Sequence, residues 1–140
     1  LGSRDEAAEA TAVIQGCSAL RPVSLAGQTD LGTLVEMLRH SDALLTNDSG
    51  PMHLAAALNV PTVACFGATD PGLTGPHGEI HTVFRTPCDL SPCMSRECVQ
   101  KNRQCSDGVP VARVAEALAA KLAWSRERRP QTTPIRFDEE

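Results

Sequence analysis

Hydrophobic positions along the chain alternate between helical spacing and short unbroken runs. From Asp5 to Gln15, Ala8, Ala12 and Val13 share one helical face, Asp5, Glu6 and Glu9 crowd the first turns where the helix dipole favours carboxylates, and Gly16 ends the segment. Val23 to Ala26, between Pro22 and Gly27, has the length and composition of a short buried strand. Asp30 stands where an N-cap belongs. Leu31, Leu34, Val35 and Leu38 then follow at i, i+3, i+4 and i+7, predicting a helix that ends near His40.

The apolar runs Ala43–Thr46 and Thr62–Phe66 are separated only by a turn at Asn47–Gly50 and an Ala-rich helix at Pro51–Leu58. Strand, turn, helix and strand in so few residues describe a crossover connection, and runs without polar alternation suit parallel strands covered on both faces. The predicted fold class is therefore α/β with a parallel sheet. A Gly/Pro-rich loop follows from Gly67 to Gly78, then a last strand at Ile80–Phe84 and an irregular, cysteine-bearing segment from Pro87 to Gly108. Pro110 opens a final helix whose Val111, Val114, Ala115, Leu118 and Leu122 share a face. Beyond a folded region of residues 1–124, residues 125–140 carry Pro130, Pro134 and mixed charges without periodicity and read as a mobile tail.

Composition narrows the function classes. With 41% hydrophobic and 21% charged residues the chain is too apolar for a disordered protein, and its length of 140 residues can bury a core. No run approaches the ~20 apolar residues of a membrane span, and LGSRDEAAEA lacks the layout of a signal peptide, so a cytoplasmic domain is expected. Seventeen acidic against 13 basic side chains, with only Phe66, Phe84, Trp124 and Phe137 as aromatics, argue against nucleic acid as a partner. Leu1-Gly2-Ser3 reads as the end of a buried strand and its turn, without an initiator Met. From this we expect a fragment, with catalytic groups upstream.

The turn at Asn47–Gly50 carries the candidate chemistry. Ligands of doubly wound sheets bind beyond the carboxyl ends of the strands, where helix N-termini present free N–H groups. There Gly50 would let a ligand approach the backbone, Ser49 offers a hydroxyl, and the helix start can hold an anion such as a diphosphate. Asp48 would repel that anion and is better placed to accept from the hydroxyls of a sugar attached to it. His53, four residues after Ser49, shares its helix face and complements phosphate charge when protonated. The plainer alternative makes Asp48 or Ser49 a simple N-cap and His53 a helix residue. A nucleophile elbow does not fit, because Asn47 stands where G-x-S-x-G needs glycine, and neither a P-loop nor G-x-G-x-x-G is present.

The run ALLTNDSGPMHLAAALNVPTVACFGATDPGLTGP, with LAGQTDLGTLVEMLRHSD before it, closely resembles the signature of glycosyltransferase family 9, the ADP-heptose:lipopolysaccharide heptosyltransferases. The resemblance covers roughly residues 1 to 124. It implies a Rossmann-like domain, the C-terminal, donor-binding half of a two-domain GT-B enzyme that transfers heptose from ADP-heptose to a lipopolysaccharide core acceptor with inversion. On matching positions it implies that Asp48 contacts donor sugar hydroxyls and that Ser49, Gly50 and His53 hold the diphosphate. It also implies that Thr29 to Leu31 lie near the adenine and that Glu6 binds ribose. Glu6 has an alternative as a dipole-favoured first-turn carboxylate, and Asp70 and Thr74 could border the donor or simply form a turn. The general base and much of the acceptor surface are expected from the missing N-terminal domain, so no catalytic residue is assigned here. Peripheral association with the inner face of the inner membrane is compatible with such an acceptor.

Cys88, Cys93, Cys98 and Cys105 have spacings x4, x4 and x6, and no C-x-x-C is present. They could ligate a structural zinc, although no metal is required for transfer. Pro92, Cys93, Arg96 and Cys98 match a PC-x-x-R-x-C segment frequent in the resembled family, which favours a structural loop over catalysis. A disulfide suits a reducing cytoplasm less well. Two other function classes stay open at this point: a non-catalytic, zinc-stabilised interaction module, and another GT-B sugar-nucleotide enzyme.

Overall fold

The computed structural model describes residues 1–17, 20–95, 97–100 and 102–128. They fall into two compact units, Leu1–Met37 and the chain from Leu38 onward.

In the first unit a short 3-10 turn, Arg4–Glu6, leads into α1, Ala7–Gly16. The Ser3 backbone N–H and hydroxyl both donate to Glu6 Oε2, at 2.6 and 2.8 Å, closing the helix start on itself. The buried face differs from the expected one. Ala8, Ala12 and Val13 are exposed, and Ala10 and Ile14 are the half-covered pair. Apolar residues surround this helix on most sides, so composition alone does not choose a face. Val23–Ala26 forms no strand and Val23 is 79% exposed, while just after it Gly27 N–H donates to Gly2 O at 2.9 Å. Gly27 has φ +69°, and a Cβ there would lie 2.7 Å from Arg4 Cα, so the close approach requires glycine. Leu1 is likewise exposed and outside any strand. The helix α2, Leu31–Arg39, begins as expected, with Asp30 Oδ1 accepting from Thr33 N–H at 2.7 Å.

The second unit is a three-stranded parallel sheet in the order β1 (Leu44–Asn47), β2 (Thr62–Phe66), β3 (Thr82–Arg85). Leu44 pairs with Thr62 and Asn47 with Cys65, while Val63 pairs with Thr82 and Phe66 with Arg85. Residues of both parities along β2 are buried, so the central strand is covered on both faces. β1 alternates instead, leaving Leu45 49% exposed, as befits the outer strand of the described sheet. Between β1 and β2 runs α3, Gly50–Ala57, whose Met52 packs in the core with Ala64 and Phe66. Thr62 is the one buried polar side chain among the described residues, and its hydroxyl donates to Val60 O at 2.9 Å.

Two short helices interrupt the expected loops: α4, Pro71–Thr74, and α5, Gln104–Asp107. The last, α6, Val111–Arg128, packs on β2 through a face that includes buried Val114. It continues past Trp124, correcting the expected tail boundary. Arg128 lies 4.4 Å over the Trp124 ring, an i, i+4 cation–π contact that favours the extra turn. Residues 129–140 of the expected tail, and Arg96 of the cysteine motif, lie outside the described residues.

Candidate functional site

Parallel pairing sends the chain out of β1 and β2 at the same edge of the sheet, because Asn47 is in register with Cys65. The turn 47–50 and the loop from Gly67 therefore meet there. Ser49 has φ −159° and ψ 163°, the extended conformation of an N-cap, yet its side chain bonds no amide of α3. Its hydroxyl instead lies 3.1 Å from Thr46 Oγ1 and donates to Asn47 O at 3.3 Å. Pro51 in the first turn has no N–H to satisfy. A Cβ on Gly50 would meet nothing within 4 Å, so the backbone here faces open space. His53 is exposed one turn further on.

The second loop closes on the first through one bond: Thr74 Oγ1–H donates to Asp48 Oδ2 at 3.0 Å. Thr74 is held in place because α4 is itself capped, with Gly72 N–H donating to Asp70 Oδ1 at 3.0 Å. Arg85, at the carboxyl end of β3, sits 3.9 Å from Asp70 Oδ1 and donates through NH2 to Ser91 Oγ at 3.3 Å. One edge thus presents a helix start without a side-chain cap, a carboxylate steadied by a threonine, and an arginine behind the second loop. Such an edge can take an anion at the helix and hydroxyls at the carboxylate.

The structure brings Asp48, Ser49, Gly50 and His53 together on this turn and joins to it Thr74, which the sequence reading left between bordering the donor and forming a turn. Glu6, Thr29 and Leu31 belong to the first unit. There the Gly2–Gly27 bond gathers the Glu6 end and the approach to α2, with Thr29 half-buried and Leu31 67% exposed. Glu6 is held below the ordinary carboxylate range, chiefly by the Ser3 backbone N–H and then by the Ser3 hydroxyl. Arg85 and Thr46 were absent from the sequence-based site. A basic residue directly after a predicted strand was the available signal for Arg85. Among the described residues no three His, Cys, Asp or Glu side chains are grouped to hold a metal ion.

Comparison with known proteins decides the family. The model of glycosyltransferase family 9 (heptosyltransferase) matches residues 1–104. The chain belongs to glycosyltransferase family 9. Lipooligosaccharide heptosyltransferase 2 of Haemophilus influenzae is 44% identical over 63 residues, 45% of this chain and 18% of its own length. Lipopolysaccharide heptosyltransferase 1 of Pseudomonas aeruginosa is 36% identical over 97 residues, 68% of this chain and 25% of its own. A solved family 9 glycosyltransferase from Veillonella parvula superposes with a TM-score of 0.75 at 26% identity, covering 88% of this chain and 35% of that one. The Escherichia coli ADP-heptose LPS heptosyltransferase II gives 0.69 at 29%, covering 89% and 36%. This family 9 chain thus spans 18–30% of the length of the curated relatives it matches, and its α/β, Rossmann-like parallel sheet is the fold shared with the solved members.

Proposed function

We propose that the chain is the donor-binding half of a heptosyltransferase that moves heptose from ADP-heptose to a lipopolysaccharide core acceptor with inversion of the anomeric carbon. The start of α3, with Ser49, Gly50 and His53, holds the diphosphate, and Asp48 accepts from the heptose hydroxyls. As the acceptor hydroxyl attacks, charge grows on the departing ADP, and pre-oriented N–H groups with His53 lower the barrier as an oxyanion hole does. No metal takes part, and the general base comes from the N-terminal half of the enzyme. The setting is the cytoplasm, at the inner face of the inner membrane. No helix among the described residues is long and apolar enough to cross a membrane.

The observation that carries this reading is the Thr74–Asp48 bond, which fixes a carboxylate beside an open helix start. A carboxylate there has no use toward phosphate and every use toward a polyol. Titration calorimetry with ADP-heptose and with ADP tests it. Asp48→Ala should weaken ADP-heptose by about 1.5–3 kcal/mol, the worth of a hydrogen bond to a charged group, and leave ADP unchanged. Equal losses for both ligands would remove Asp48 from the sugar site.

A further inference from the structure

Arg85 closes β3 in register with Phe66 at the end of β2, and its guanidinium reaches the loop 67–75 that leaves β2. The side chain is 29% exposed, and its Nε is buried without a hydrogen-bond partner among the described residues. A guanidinium so placed contributes little to stability on balance, because an unsatisfied buried N–H offsets what a long ion pair gains. Its contacts nonetheless converge on one loop. Nη1 lies 3.9 Å from Asp70 Oδ1, the same oxygen that accepts from Gly72 N–H and starts α4. Nη2 donates to Ser91 Oγ at 3.3 Å, and the Ser91 hydroxyl donates in turn to Gly67 O at 3.1 Å, at the root of the loop. One planar cation thus holds the loop at its root and at its helix start, which a guanidinium can do because its donors sit on separate nitrogens.

That hold decides where the Thr74 proton goes. Thr74 Oγ1 lies 3.0 Å from Asp48 Oδ2 and 3.3 Å from Asp70 O, and a hydroxyl has one proton to give. The Asp70 carbonyl, four residues back, is the acceptor that a helical threonine finds within its own helix. The Asp48 carboxylate is reached only when α4 stands at the right distance from the turn 47–50. We propose that Arg85 is a positioning residue of the donor site: by holding Asp70 and, through Ser91, Gly67, it sets α4 where Thr74 bonds Asp48 in preference to its own helix. This rests on the reading of Asp48 as the carboxylate that accepts from the donor sugar, and it adds the side chain that sets the preference for a nucleotide sugar over the bare nucleotide. In this role Arg85 touches no ligand and acts through Asp70 and Thr74.

A double-mutant cycle read by calorimetric titration with ADP-heptose and with ADP is the test. Arg85→Met should weaken ADP-heptose by up to about tenfold, the ceiling set by the Thr74 bond through which it acts, and leave ADP unchanged. Beside Thr74→Val the same substitution should cost nothing further, because the bond it positions is already gone. Asp70→Asn keeps an oxygen for Gly72 N–H but removes the charge that faces Arg85, so it should reproduce the selective loss in smaller measure. It carries the test if circular dichroism shows that Arg85→Met does not fold. A loss that persists in full beside Thr74→Val, an equal loss for ADP, or unchanged ADP-heptose binding in either variant would each overturn the proposal. Asp48→Ala in the same series keeps the two ideas apart. If it weakens both ligands equally, the sugar reading falls and takes the role of Arg85 with it; if it weakens ADP-heptose alone while Arg85→Met weakens nothing, only the role of Arg85 falls.

Discussion

Thr74 joins Asp48 across 26 positions of chain, and its hydroxyl is the donor. A threonine that merely filled space could be replaced by valine at little cost. One that orients a carboxylate could not, because the acceptor would lose a partner it needs when the sugar arrives. Thr74→Val should therefore weaken ADP-heptose binding about tenfold, the lower end expected for a charge-assisted bond at a half-exposed site, and leave ADP alone. Thr74→Ser should restore affinity. Calorimetric titration of both variants checks this, and an equal loss for ADP would make Thr74 a support for the turn as a whole. Individual residues were also where sequence reasoning fell short. The turn around Asp48 was legible because small polar residues between an apolar run and an Ala-rich helix break the strand there. Arg85 was not, because its partners Asp70 and Ser91 come from separate loops that only the folded sheet brings near it.

Among elements, legibility followed how many neighbours each one has. β2 matches the predicted Thr62–Phe66 run residue for residue, since a strand buried on both faces needs an unbroken apolar sequence. Val23–Ala26 has similar letters but pairs with no strand among the described residues, and its β-branched residue stays in solvent. The face of α1 was misread for a related reason, as little burial exists there to select one. β3 carries a pH dependence that could not be read in advance. Just ahead of it, burial holds the His81 imidazole below its ordinary value, with the like charge of Lys121 a lesser cause. Between the lowered value and the ordinary value of about 6.5 the unfolded chain takes up a proton that the folded chain refuses. Stability is therefore full above that range and falls as the pH drops through it. Thermal melts at pH 7 and pH 5 should show a larger fall in Tm for the wild type than for His81→Gln. Identical pH responses would mean that His81 is solvated in the fold.

For the whole molecule, binding and turnover should separate. The turn and helix assigned to the donor lie within one unit, whereas the acceptor surface and general base are assigned to the remaining length that the relatives possess and this chain does not span. General-base help alone contributes roughly 10²- to 10⁴-fold in rate, and acceptor positioning can contribute more. The chain should bind ADP-heptose yet release no ADP in the presence of a deacylated lipid A–Kdo acceptor until a separately expressed N-terminal domain is added. Turnover by the chain alone would place a base within it. The Ser49 hydroxyl, turned back toward Thr46 and Asn47, has a further effect at this scale. A helix start closed by its own side chain gains about 1 kcal/mol, and here that gain is left unclaimed. A bound diphosphate would finish the helix in place of a residue, so the proposed nucleotide would double as a missing piece of the fold.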